Sequence, residues 1–318
     1  MGLLSKLFSL CLSVFYFFTP FTLPAGTAPI RPSANSRMTF VAWADPQVSN
    51  YILKRDPYFI AACRDVAAAK CRFDALLVAG DIVENGLECE WAHVQENLPT
   101  DRVSKFVMAV GNHDVRMRPY KWTVRRFTSF TNELNQAAGN DLTIDALHYK
   151  TKVKGYTFIT LGTDRTEFEE SYLSDAQLRW LDASLQEASR DGKPIFVTVH
   201  QPFKWTHGLP DTWGSPVDAA GSIGPQSDAL KAILSKYKKV ILLTGHLHTG
   251  IGQYTYEIID GIHSVNLPSL TIDNKDGRVN GSGLGFWVEV FGSSKVVFHA
   301  RNFAAGENIP QEDIVIKL

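Results

Sequence analysis

Apolar runs of strand length alternate with helical and polar stretches along this 318-residue chain, which predicts an α/β sandwich, two sheets face to face with helices outside. Two observations carry the prediction. Met38 to Ala44, Ala75 to Ala79, Phe106 to Val110, Pro194 to Val199 and Val240 to Thr244 are near-continuously apolar, as strands covered on both faces must be. A later set, Tyr254 to Ile259, His263 to Leu267, Phe286 to Val290 and Val296 to Ala300, is β-rich with turn residues between, and implies a second, antiparallel sheet. With 45% hydrophobic residues the chain can bury a full core as one domain.

At the N-terminus Lys6 precedes an apolar stretch from Leu7 to Phe18, which Pro20 interrupts and Ala25-Gly26-Thr27-Ala28 follows. This reads as a secretory signal peptide over residues 1–28, cleaved near Ala25 or Ala28, with 29–37 a polar leader into a domain over 38–318. The stretch falls short of the ~20 residues that cross a bilayer, so an uncleaved membrane anchor is the weaker alternative. An internal start at Met38 would yield the same domain without export. The expected location is therefore secreted or periplasmic, or anchored to a membrane through this segment alone.

Asp56-Pro57 and the Ala-rich stretch to Lys70 predict a crossover helix between the first two strands. Residues 86–96 and 120–136 read as helical or loop-rich. Leu147 to Val153 and Tyr156 to Leu161 read as a hairpin around Lys154-Gly155. Ser174 with Gln177 predicts a capping box for a helix carrying Leu178, Leu181 and Leu185 on one face. Pro202 to Pro225, with four Gly and four Pro, reads as a long loop. A helix over 226–237 and a turn at Gly292-Ser293 complete the order.

Removing the leader takes Cys11 and leaves Cys63, Cys71 and Cys89. On one helix Cys63 and Cys71 would stand ~12 Å apart, beyond the ~7 Å that a disulfide spans, so a bridge would join Cys71 to Cys89. Three unbridged, apolar cysteines is the competing expectation. Lys plus Arg number 32 against 33 Asp plus Glu, a formal net charge of -1, so no basic field draws a nucleic acid and none is expected as a partner.

Each of the five apolar runs leads straight into metal-binding side chains: Asp45 and Gln47, Gly80-Asp81, Gly111-Asn112-His113-Asp114, His200, and Gly245-His246-Leu247-His248. Ligand crevices in α/β sheets lie at the carboxyl ends of the strands, so the fragments are expected to meet in one site. Singly, Asp45 and Asp81 would pass for turn formers and His200 for a core residue; five fragments together describe a two-metal hydrolase.

The fragments resemble the calcineurin-like metallophosphoesterases, marked by D-x-H, G-D, G-N-H-D, an apolar strand ending in His, and G-H-x-H, over about Thr39 to Thr249. The resemblance implies a four-layer α/β/β/α sandwich of two mixed sheets flanked by helices. It implies a phosphoric ester hydrolase with two divalent metal ions, Mn, Fe, Zn or Co, acting on a small phosphorylated mono- or diester. Asp45, position 47, Asp81 and His248 would hold one metal; Asn112, His200, His246 and the shared Asp81 the other, with a bridging hydroxide as nucleophile. His113 would act outside the metal shell, stabilising the phosphoryl transition state or protonating the leaving oxygen, with Asp114 orienting it.

Gln47 departs from the pattern, which has His there. An amide oxygen is a harder and weaker ligand than imidazole, so either Gln47 ligates and shifts preference towards Mn or Mg, or the site is half-occupied and slower. Arg116 and Arg118 are candidates for pairing with the substrate phosphate, against a solvated role. Trp205 and Trp213 either wall the leaving group or pack the long loop, and His207 lies in that loop as a possible substrate contact. Glu167, Glu169 and Glu170 read as a solvated face, and His93, His148, His263 and His299 as structural. Two rivals remain: a non-catalytic phospho-ligand-binding module of the same fold with a weakened first metal site, and a nuclease, which the leader and charge balance disfavour.

Overall fold

Side chains alternate across strand β1 (Met38–Trp43), and both alternations are buried: Phe40 and Ala42 face a second sheet, Val41 and Trp43 face helices. That pattern makes the molecule layered. The structure, a computed structural model, describes residues 28–214 and 221–318. Residues 1–27 of the expected signal peptide, and six residues of the long loop, lie outside them.

The remaining elements are α1 (Asp56–Ala68), β2 (Ala75–Ala79), α2 (Glu88–Asn97), β3 (Phe106–Ala109), α3 (Asn112–Val115), α4 (Tyr120–Ala137), β4 (Tyr149–Val153), β5 (Tyr156–Thr160), α5 (Asp175–Ser189), β6 (Ile195–Thr198), α6 (Ser227–Leu234), β7 (Val240–Thr244), β8 (Tyr256–Ile259), β9 (Ile262–Asn266), β10 (Leu284–Phe291), β11 (Lys295–Asn302), β12 (Glu307–Asn308) and β13 (Ile314–Lys317). One sheet runs β12-β11-β10-β1-β2-β3, with β13 also on β11; the other runs β4-β5-β6-β7-β9-β8. Both are mixed: β1, β2 and β3 are parallel while β10 is antiparallel to β1, and β5, β6, β7 and β9 are parallel between antiparallel edges β4 and β8.

Three apolar layers separate the four structural ones. Phe59, Val66, Trp91, Phe127 and Phe130 pack the helices on the first sheet, Leu178, Leu181, Leu185, Leu230 and Leu234 pack α5 and α6 on the second, and Phe40, Phe158, Phe196 and Phe298 lie between sheets. Phe40 meets Phe158 and Phe196 edge-on at 5.4 and 5.2 Å. Such pairs add about 0.5–1.5 kcal/mol each beyond area burial and set the sheet-to-sheet spacing.

The late strands do not form a sheet of their own. β10 and β11 extend the first sheet beside β1, and β8 and β9 extend the second beside β7. β10 is buried along nearly its whole length, which an interior strand requires; antiparallel periodicity identifies the hairpin partner but not the sheet it joins. The β4–β5 turn has φ of 51° at Lys154 and 78° at Gly155, the positive pair that a two-residue hairpin loop needs. Ser174 caps α5 by accepting from Gln177 N at 3.2 Å, but the Gln177 side chain turns to the backbone of Gly162, so the reciprocal half of the expected box is missing.

Residues 28–37, which include the expected leader, are docked on the domain. Ile30 is buried in the core, Ser33 N and Oγ donate to the Glu289 carboxylate at 2.7 and 3.1 Å, and Arg37 N pairs with Val290 O. The Ala28 carbonyl accepts from Arg301, whose buried guanidinium forks onto Asp65 at 2.7 and 2.6 Å. Cys63, Cys71 and Cys89 are free, so the Cys71–Cys89 pairing is not present. Among the described residues no helix is long and apolar enough to cross a membrane.

Candidate metal centre

The carboxyl ends of β1, β2 and β3 from one sheet and β6 and β7 from the other converge on one rim. The backbone there is bent hard: Asp45, Gln47, Asp81, His246 and His248 all have positive φ, between 36° and 74°. Each such residue costs roughly 1–3 kcal/mol, and strain of this kind persists only where the surroundings over-determine it. The surroundings here are close. A Cβ on Gly80 would stand 2.5 Å from the His200 ring, and one on Gly245 would stand 2.5 Å from the Asp45 carboxylate. Glycine at those two places lets a ligand from each sheet press against the turn of the other.

Asp81 is the centre of the cluster. Its Oδ2 lies 3.0 Å from Gln47 Nε2 and 3.1 Å from His200 Nε2, and its Oδ1 accepts from His113 N at 2.8 Å. Asp45 accepts from His246 N at 3.0 Å and faces His248 Nε2 at 3.2 Å and His200 Nε2 at 3.6 Å. Ligand atoms of Asp81, His200 and His246 all fall within 4.8 Å of one another, and the three residues are buried. Asn112 is also buried; its Nδ2 donates to Glu169 Oε2 at 3.0 Å and Phe168 O at 3.3 Å.

The donor set fits a pair of divalent cations. Gln47 Oε1, Asn112 Oδ1 and His246 Nε2 are buried without a hydrogen-bond partner, one orphan from each of three motifs, and His200 Nε2 from a fourth is buried against the Asp81 carboxylate at 3.1 Å. An orphan of this kind costs roughly 1–3 kcal/mol, which a bound cation would relieve. His200 Nδ1 donates to the Ala79 carbonyl at 2.7 Å, leaving Nε2 as the ligand atom. If the ligands divide as the family resemblance implies, Asp45, Gln47 and Asp81 would supply oxygen beside the His248 nitrogen, and Asn112 and Asp81 would join two imidazoles, making the first position the harder one.

The charges lean the same way. Burial pulls the His200 imidazole down, but the Asp81 and Asp45 carboxylates outweigh it and push its pKa up to about 10. Burial and the neighbouring His200 charge push His246 well down, so it stands neutral and ready to ligate. Burial would raise Asp81, yet His200, His113 and His246 hold it below the usual carboxylate range. Burial likewise lowers His113, but Glu84 and Asp81 reverse the sign and raise it.

His113 points Nε2 at the cradle, 3.9 Å from Asp81 Oδ2. Its Nδ1 sits 3.0 Å from the Glu84 carbonyl and 2.9 Å from Arg116 Nη2; a protonated Nδ1 satisfies the first contact and a bare one the second. Glu84, paired with Arg55, therefore orients the ring, a role expected of Asp114. The Asp114 carboxylate instead accepts from the backbone N–H of Gly111, Val83 and Ile82 at 2.8, 3.0 and 3.3 Å. It ties the Asp81 turn to the Asn112 turn. Burial and the Asp81 charge push its pKa up to about 7 against those three donors.

His207 is fully buried, with Nδ1 on Tyr254 O at 2.7 Å and Nε2 on Ser264 Oγ at 2.8 Å, so both nitrogens are spent on loop packing. Trp205 is 59% exposed, and it is Trp213 that stacks on His246, with centroids 4.4 Å apart. Arg116 is at the site but is held by Glu169 Oε1 at 3.2 Å. Glu169, expected on a solvated face, thus bridges a ligand amide and a guanidinium. Nothing in its Glu167-Phe168-Glu169-Glu170 surroundings signals this, because a loop contact has no period.

The calcineurin-like phosphoesterase family model matches residues 39–250. The chain belongs to that family. The calcineurin-like fold is borne out in solved structures at low identity. A dimetal phosphatase from Danio rerio aligns with a TM-score of 0.58 at 15% identity, covering 89% of this chain and 99% of that one. A purple acid phosphatase from yellow lupin seeds aligns at 0.60 and 14%, covering 88% and 53%. GAP50, described as the anchor in the inner membrane complex of Plasmodium, aligns at 0.52 and 14%, covering 88% of each chain. No curated protein sequence matches the chain.

Proposed function

We propose that this calcineurin-like phosphoesterase is a working dinuclear-metal hydrolase of phosphate mono- or diesters. The observation that supports it most directly is the set of three orphaned, buried ligand atoms, Gln47 Oε1, Asn112 Oδ1 and His246 Nε2, gathered with His200 round Asp81, with Gln47, Asp81 and His246 on strained turns. Asp45, Gln47, Asp81 and His248 would hold one divalent ion, and Asn112, His200, His246 and Asp81 the other, Asp81 damping the repulsion between them. When bound, such a pair supplies Lewis-acid polarisation of the phosphoryl oxygens and an acidified water. The protein does the rest. Asp114 holds the two ligand turns in register, Trp213 covers His246 from solvent, and Glu84 aims His113 Nε2 into the cradle. With its pKa raised by Glu84 and Asp81, His113 is suited to deliver a proton from Nε2 to the departing oxygen.

Asp81→Ala is expected to abolish turnover of p-nitrophenyl phosphate and of bis(p-nitrophenyl) phosphate after Mn loading, and retained turnover would overturn the reading. The fold is also that of a protein described as an anchor, and Gln47 spends its amide N–H on Asp81, so a non-catalytic phospho-ligand module is the second reading. Elemental analysis separates them: two metals per chain with turnover supports the hydrolase, one or none with tight phosphate binding supports the module. Export belongs to the same proposal, supported by the order of Lys6, the apolar stretch and Ala25 to Ala28. The mass of the chain recovered from a secreting host tests it.

A further inference from the structure

Glu169 has no task in the reaction as set out above, yet it is built into the site rather than left on the surface. Its backbone carbonyl accepts from Gln201 Nε2 at 2.6 Å, and Gln201 is buried and itself held by Ser171 Oγ at 2.6 Å. Its carboxylate takes the Asn112 amide with one oxygen and Arg116 with the other. The Asn112 amide has two acceptors, Glu169 Oε2 and Phe168 O, on its nitrogen side. They fix its orientation, so the partnerless Oδ1 is turned away from them, one amide group from the carboxylate.

Resting on the phosphoesterase reading, we propose that Glu169 makes this site select singly charged phosphodiesters over doubly charged phosphomonoesters, by fixing a negative charge beside the phosphoryl position and by occupying the nearest guanidinium. Arg116 is held on several sides: Nη1 on Glu169 at 3.2 Å, Nη2 4.0 Å from Glu84 Oε1, and the Phe168 ring under its Cζ at 5.2 Å. A substrate phosphate meets no free arginine there. Arg55 is likewise spent on Glu84. Asp45 and Asp81 would be neutralised by the metals, so among the groups that are not candidate ligands the carboxylates Glu84 and Glu169 are matched by Arg55 and Arg116, and no guanidinium charge is left over for the substrate. The second negative charge of a monoester meets the Glu169 carboxylate beside Asn112, and the ester-blocked oxygen of a diester carries no such charge. One like charge within several ångströms in a partly solvated cleft is worth about tenfold in affinity.

The test uses the full, Mn-loaded chain and two anions of different charge, inorganic phosphate at pH 8 and dimethyl phosphate, titrated calorimetrically. Glu169→Gln keeps an oxygen for Asn112 and removes the charge. Phosphate affinity is expected to rise about tenfold while dimethyl phosphate changes less than about twofold. In turnover, kcat/KM for p-nitrophenyl phosphate is expected to rise by the same factor relative to methyl p-nitrophenyl phosphate, which shares its leaving group, with the change in KM. Equal shifts for both anions, or a shift towards dimethyl phosphate, overturn the proposal. If the unaltered protein turns over neither ester, the hydrolase reading fails, and the anion-binding ratio still decides the role of Glu169.

Discussion

Metal loading should release the proton held on His200. In the metal-free protein the Asp81 and Asp45 carboxylates lie 3.1 and 3.6 Å from Nε2 and push the imidazole pKa up to about 10. The atom that would ligate is thus protonated at neutral pH. At pH 7.5 displacing that proton costs about 3 kcal/mol of affinity, at 1.36 kcal/mol for each pH unit below the pKa. The apparent affinity of the position held by His200 and His246 should climb about tenfold per pH unit between pH 7 and 9. His246 adds nothing to the count, because burial and the His200 charge keep it neutral. Calorimetric titration with Mn at pH 6.5, in two buffers of different ionisation enthalpy, counts the protons. The protein is expected to release about one more than His200→Gln. Equal release from both would refute the ion-pair picture of the metal-free cradle.

The same pair fixes a stability trend. The folded pKa of His200 stands above its ordinary 6.5, so its contribution to the metal-free fold is complete below pH 6.5 and is lost as pH rises towards 10. Thermal melts of the metal-free protein should therefore fall across that window, and less so in His200→Gln.

The remaining predictions concern the frame. Asp114→Asn replaces an all-acceptor group facing three backbone N–H groups with one that presents a donor to at least one of them, at a cost of about 2–3 kcal/mol; a urea melt reads the loss, and metal stoichiometry should fall with it because both ligand turns hang on this side chain. Arg301→Met strands the buried Asp65 carboxylate and frees the Ala28 carbonyl, so unfolding free energy should drop by about 3–5 kcal/mol with the site's metal affinity unchanged. A loss under 1 kcal/mol would show that Asp65 simply takes up a proton, the direction in which burial already pushes it.

The strands that carry the site were legible because they are covered on both faces: Ala75 to Ala79 and Val240 to Thr244 read as apolar runs and are β2 and β7, residue for residue. Composition of that kind records burial, and burial follows from the layering. It does not record which sheet a strand enters. Phe286 to Val290 looks the same whether it pairs with β1 or with β9, and only the register Met38 to Val290 through Ala42 to Phe286 decides. Helices at 86–96 and 120–136 were blurred for a related reason. Trp91, Phe127 and Phe130 keep the period, but polar positions such as Thr131 and Asn135 are buried too, Asn135 bonding the backbone of Phe106 in both directions.

Site residues divide along a similar line. Asp45, Asp81, Asn112, His200, His246 and His248 sit on turns that leave the ends of covered strands, and Gly80 and Gly245 are needed because a ligand from the opposite sheet touches each, as Gly111 is because Asp81 crowds it. Chemistry and backbone demand the same short strings, so the strings are readable. Glu84, Glu169 and Trp213 reach the site from loops, where no period or steric rule marks the contact. Trp205 and Trp213 are interchangeable in the sequence; only the loop's path puts one at 59% exposure and the other 4.4 Å from His246. The candidate metal ligands are therefore written in motif and spacing, whereas the contacts that would choose the ester depend on loop geometry, which is why the contacts of Glu169 emerge from the fold and not from the string around it.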